Sequence, residues 1–167
     1  MRLFLIARHW QIAILQLVPI ACIFLVGKYL SPVQVSFMWF LLVSVSVIWL
    51  YSIGAAANLV LEPALQKKVT IFRIAAFASL FIFVMVLPIM YQLSQTNSTH
   101  PAWLVYLLFA GLTSFYYMLW YASSQFVAAE KKSEPNYFEY ALPMLGFWFS
   151  IVGVWFLQPR VNRLLGS

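Results

Sequence analysis

The chain has 167 residues, of which 64% are hydrophobic and 8% charged, and its formal net charge is +6. A soluble domain carries about 25% charged residues, and so short a chain cannot bury this apolar share in one core; lipid, not water, is the solvent that fits. Aspartate is absent, and the four acidic residues, Glu62, Glu130, Glu134 and Glu139, lie in or beside polar stretches between apolar runs. The Lys and Arg residues gather at the ends of those runs, as topology-setting charges do, and this argues against a nucleic-acid partner.

After a basic opening with Arg2 and Arg8, the first spanning helix is predicted from Gln11 to Leu30, matching the about 20 apolar residues a bilayer demands. Gln11 and Gln16 interrupt it. Pro19 frees a backbone carbonyl that a neighbouring helix must satisfy, so this face is expected inside a bundle. The single cysteine, Cys22, is too few for a disulfide, zinc site or redox motif. The stretch Pro19-Ile20-Ala21-Cys22 only loosely matches a lipoprotein cleavage site, and a multi-spanning chain requires no cleavable signal. Lys28 and Tyr29 suit an interfacial end, and Ser31-Pro32 makes the turn.

The second segment is predicted from Val35 to Val60. Ser52 and Ala56 have the small-xxx-small spacing of closely packed membrane helices, and Asn58 follows near its end. The connector Glu62 to Arg73, with Pro63, Lys67 and Lys68, is expected to face the cytoplasm. The third segment runs from Ile74 to Leu93 and contains Pro88. Between Gln92 and Pro101 there is no Lys, Arg, Asp or Glu, which suits the non-cytoplasmic side; Asn97-Ser98-Thr99 matches a glycosylation acceptor, a short pattern with little weight by itself. The fourth segment, Ala102 to Ala128, carries Phe115-Tyr116-Tyr117 and Trp120-Tyr121 as an aromatic belt near the cytoplasmic interface. Glu130 to Asn136 is the most hydrophilic stretch and ends any continuous helix.

The last apolar run, Tyr140 to Leu157, is broken by Pro143, Gly146 and Gly153. Its length of about 27 Å falls just short of a hydrocarbon core of about 30 Å. It either spans, placing Arg160 and Arg163 outside, or re-enters and returns them to the other cations. Spanning is the preferred expectation, because a small bundle offers little protein to shield irregular backbone. The fold class is therefore an all-α integral membrane bundle of four transmembrane helices plus this fifth short segment, in one domain over residues 1–167.

Reactive residues are sparse and scattered. His9, beside Arg8 and Trp10, stands at a membrane edge with no second histidine at ligand spacing, and His100 falls on the opposite side; His9 therefore reads as an interfacial anchor, with no metal site and no cofactor. Gln11, Gln16, Ser52, Ala56 and Asn58 are the candidate interface or polar face. Hydrogen bonding between helices is their expected use, since no ionisable residue joins them. An intramembrane serine protease would place a base at the depth of its serine, and a metalloprotease would need His-Glu-x-x-His. A headgroup-level enzyme would draw on Arg8, Lys67, Lys68, Arg73, Lys131, Lys132 and the glutamates, which form no convergent constellation in sequence. No catalytic residue is assigned.

The ending from Gly153 to Arg163 is the most motif-like stretch. Trp155, Gln158, Arg160, Asn162 and Arg163 are candidates for docking lipid headgroups or a partner. The run Phe147-Trp148-Phe149 to Gly153-Val154-Trp155-Phe156-Leu157-Gln158-Pro159-Arg160-Val161-Asn162, with His9-Trp10-Gln11, resembles small multi-spanning proteins of unassigned function from Bacteroidota. The resemblance implies a bacterial inner-membrane location and supplies no activity. The expected role is a non-enzymatic accessory or interaction subunit with its N-terminus in the cytoplasm, in contact with lipid and with a membrane-protein partner or a second copy. A small oligomeric channel or transporter is the alternative, and an intramembrane or lipid-modifying enzyme the third class.

Overall fold

The computed structural model describes residues 9–96, 99 and 101–165. The expectations placed on Arg2, Arg8, Asn97, Ser98 and His100, and on the His9 side chain, lie outside what it describes. Among the described residues six α-helices follow one another: α1 His9–Val26, continued by a 3₁₀ turn Gly27–Tyr29, α2 Pro32–Val60, α3 Val69–Gln95, α4 Ala102–Lys131, α5 Tyr137–Trp148 and α6 Ser150–Leu165. No strand occurs among the described residues, and the all-α membrane bundle holds. Among the described residues, the four helices long and apolar enough to cross a bilayer cover Trp10–Tyr29, Pro32–Val60, Val69–Gln95 and Ala102–Lys131.

Local chemistry sets the helix ends. Ser31 caps α2, its hydroxyl accepting from the Gln34 N–H while the Gln34 side chain accepts from the Ser31 N–H, with Pro32 in the first turn. At the end of α4, Lys132 takes the left-handed conformation (φ 55°) and its N–H donates to the Ala128 carbonyl at 2.7 Å. Asn136 then opens α5 with a second capping box closed by Glu139. This short connector turns the chain back along α4.

α2, α3 and α4 form the packed centre. Gly54 makes this possible: a Cβ there would lie 2.7 Å from the Phe72 ring and 3.2 Å from the Ala122 Cα. Phe72 is sandwiched between Tyr51 and Tyr121, with ring centroids at 5.1 and 4.2 Å. α1 lies against α2 with Ile12, Ala13 and Gln16 buried. Pro19 is also buried. Cys22 is a half-buried free thiol in the second half of α1.

The preference for a fifth spanning segment is overturned. Tyr140 to Leu157 is not one helix; the chain breaks at Phe149, whose N–H closes α5 on the Leu145 carbonyl and whose carbonyl accepts from Val152 and Gly153 to open α6. The two helices fold back on each other so closely that a Cβ on Gly153 would sit 1.7 Å from the Gly146 oxygen. α5 packs on α4 and α6 on α1, so the hairpin is shielded by protein on both flanks, which removes the cost that had favoured spanning. Twelve residues give α5 a length of about 18 Å, too short to cross. Arg160 thereby returns to Glu130. Among the described cations, Lys67, Lys68, Arg73, Lys131, Lys132, Arg160 and Arg163 lie at the connector end of the bundle, and Lys28 lies at the other.

Candidate functional site

Polar side chains concentrate at that cationic end, in two places. The first surrounds Lys67 in the connector between α2 and α3. Its N–H donates to Asn58 Oδ1 at 3.0 Å and to Gln125 Oε1 at 3.3 Å, and its carbonyl accepts from the Tyr121 hydroxyl at 3.1 Å. Its Nζ donates to Ser124 Oγ at 3.2 Å and lies 4.2 Å from the centre of the Trp120 ring. Burial pushes the Lys67 ammonium below its ordinary value, and the Glu134 charge works in the other direction.

A lysine beside a serine hydroxyl can form a nucleophile and base pair. Here Ser124 is fully buried, and its hydroxyl donates to the Tyr121 carbonyl at 3.1 Å. A substrate carbonyl has no approach to it. The cluster instead anchors the connector to α4, and Asn58 is one of its acceptors rather than part of an outer interface. Ser124 and Gln125 were not among the sequence candidates; their signal is a polar pair inside an otherwise aromatic and apolar helix, opposite a cationic loop.

The second place is the hairpin. Gln158 is buried and accepts from Trp49 Nε1 at 2.9 Å, while its Nε2 donates to Asn162 Oδ1 at 3.0 Å. Trp49 also meets Phe147 edge-on at 5.5 Å. Removing one partner leaves the other orphaned in an apolar interior. Gln158→Leu should therefore destabilise by about 1 kcal/mol or somewhat more, and adding Trp49→Phe should recover part of the loss; thermal unfolding of the two variants and the double variant in one detergent measures the coupling.

Arg160 forms a forked pair with Glu130, with its Nε and Nη2 on the two carboxylate oxygens at 2.9 and 2.5 Å, and its guanidinium lies 5.2 Å from the Phe126 ring centre. Arg163 is exposed, one turn further along the same face. Both arginines border the open end of an apolar crease of about 580 Å³ between α5 and α6, whose lining includes Gly146 and Gly153. The five docking candidates thus part company. Gln158 and Asn162 are joined in the hairpin's inward bonding, Arg160 and Arg163 frame the crease, and Trp155 is half exposed.

Of the other candidates, Gln16 and Ser52 are buried within the bundle, Gln16 donating to Ser46 Oγ at 3.3 Å and Ser52 to the Ile48 carbonyl at 2.7 Å. Ala56 is partly buried and Gln11 exposed. These residues are spread over separate helix contacts.

Lys131 bonds Glu139 across the connector. That hydrogen bond, with a second from the Asn136 N–H, holds the Glu139 carboxyl below its ordinary value of 4.5. A depressed carboxyl contributes stability that is complete above the unfolded value and vanishes as pH falls through the folded one. The melting temperature of the wild type should exceed that of Glu139→Gln above about pH 4.5 and converge with it on further acidification; a constant difference across that window would refute the assignment.

Among the described residues no group of three or more His, Cys, Asp and Glu is placed to hold a metal ion. Compared with known proteins, the chain matches no family model, no curated protein and no solved structure.

Proposed function

We propose that this multi-pass membrane protein is a non-enzymatic accessory subunit of a bacterial cytoplasmic membrane, with its N-terminus in the cytoplasm and another membrane protein as its partner. One observation carries the reading. α4 changes character along its length: residues 121–129 are all buried, whereas Trp103, Val105, Tyr106, Leu107, Phe109 and Leu112 are exposed.

The hairpin is the cause. Its tip comes level with Phe115, whose ring lies 6.1 Å from Trp148, and beyond that point nothing from α5 or α6 covers α4. Phe24, Leu25 and Val26 of α1 are exposed at the same end. A partner's transmembrane helix, seated between α1 and α4 in the non-cytoplasmic half, would continue the packing that the hairpin begins. Trp39 extends the inward stripe of Val43, Ser46, Leu50, Ile53 and Ala57 on α2 toward the same end. The cationic end supports a cytoplasmic N-terminus by the excess of Lys and Arg on that side, and the resemblance noted above supports a bacterial membrane.

A photo-reactive residue at Tyr106 in intact membranes should give one dominant protein adduct, absent when the same residue replaces Phe77, which is as exposed on α3 (73% for each). Lipid adducts alone at both positions would defeat the proposal.

A further inference from the structure

The crease between α5 and α6 lies on a different part of the surface, at the cationic end, and its argument is independent of the partner helix. We propose that it is a seat for a phospholipid with a negatively charged headgroup, one acyl chain lying in the crease and the phosphate resting on Arg163 and Arg160.

The shape of the crease follows from the two glycines. Because Gly146 and Gly153 bring the helix backbones into contact, the larger side chains of Leu142, Leu145, Val152 and Phe156 stand apart as walls. All four walls are exposed at the bundle surface, where bilayer lipid surrounds them. The volume of about 580 Å³ is within the range of about 300–1,000 Å³ that small-molecule sites occupy. Apolar walls and floor give water no partners there, so a hydrocarbon chain is the occupant that matches.

Charge distinguishes this crease from an ordinary lipid-facing notch. Arg160 and Arg163 are the charged residues on its lining, and a second hollow of about 430 Å³, bordered by Glu130, Arg160, Arg163 and Leu164, adjoins them. Glu130 occupies one fork of Arg160 and would repel a phosphate, but two guanidinium groups against one carboxylate leave a surplus positive charge at the mouth. Arg163 contributes it. Guanidinium geometry suits a phosphate, and the arginine stems can run along apolar surface while the heads stay at headgroup level.

The test uses purified full-length protein in mild detergent, offered equal amounts of phosphatidylglycerol and phosphatidylcholine, with the retained lipid counted by native mass spectrometry. The wild type should retain phosphatidylglycerol about fivefold better, the effect of one basic residue acting on an anionic lipid. Arg163→Gln should abolish the preference, and Arg163→Lys should keep part of it. Val152→Trp should lower retention of both lipids by filling the crease. Glycerol phosphate, which has the phosphate but no chain, should not compete. Arg163 is exposed, so its variants should fold normally, and lipid-free melting temperatures verify this. No preference in the wild type, an unchanged preference in Arg163→Gln, or displacement by glycerol phosphate would overturn the proposal. So would a photo-reactive residue at Val152 that captures protein in place of lipid in native membranes.

Discussion

Gly153→Ala should be the most damaging single-methyl change in the protein, with a loss of about 3 kcal/mol or more, at the upper end of overpacking effects. Alanine is the better helix former by about 1 kcal/mol, so helix propensity alone predicts the opposite sign. Geometry decides the matter: the added Cβ would meet the Gly146 oxygen at 1.7 Å, its carbonyl carbon at 2.4 Å and its Cα at 2.8 Å. These are backbone atoms of a helix packed against α4, and they have no rotamer by which to move away. The hairpin must open, and with it the Trp49 to Gln158 bond and the pairing of Arg160 with Glu130. Gly27→Ala is the internal control. Its Cβ would find only Ile23 Cγ2, at 4.0 Å, and stability should change by no more than about 0.5 kcal/mol. Thermal unfolding of both variants in one detergent tests the contrast, and equal melting temperatures would show that α5 and α6 do not meet at these glycines.

Cysteine labelling should place residues 133 and 163 on the same side of the membrane. In a Cys22→Ser background, Ser133→Cys and Arg163→Cys should react with an impermeant thiol reagent from one side, and Thr99→Cys from the other. The expected contrast is near-complete labelling against near-complete protection. It follows from the break at Phe149 and the return of Arg160 to Glu130. A spanning fifth helix would instead put residue 163 with residue 99. Labelling of residue 133 from inside the cell would also establish the orientation proposed from the cations.

The hairpin accounts for why the two arginines near the end of the chain carry so much of the surface chemistry. Without it they would lie at the opposite interface, away from Glu130 and from the other cations. With it, α6 fills the half of the gap between α1 and α4 at the cationic end, supplies an acceptor to Trp49, and presents an arginine-edged crease at the bundle surface. The same shortness leaves the first half of α4 uncovered, so the proposed lipid seat and the proposed partner helix occupy opposite halves of the bilayer.

The sequence by itself determined the solvent, the four spanning helices and the placement of the charged connectors, because hydrophobic length and charge at segment ends are properties of contiguous residues. Helix ends were less legible. α3 begins at Val69 and takes Arg73 into its first turns, where the cations had suggested loop, since a basic side chain at a membrane edge can extend its stem from within a helix. Gln16 bonds Ser46 of the neighbouring helix, whereas Ser52 bonds the Ile48 carbonyl one turn back in its own helix and Asn58 accepts from the Lys67 N–H of the connector; uncharged polar residues in apolar runs do not announce which of these uses each will take. The fate of Tyr140 to Leu157 could not be read along the chain. Eighteen apolar residues favour a span until the tertiary structure shows that Gly146 and Gly153 touch and that α1 and α4 shield the returning backbone. The decisive energies there are contacts between helices distant in sequence, and no run of neighbouring residues records them.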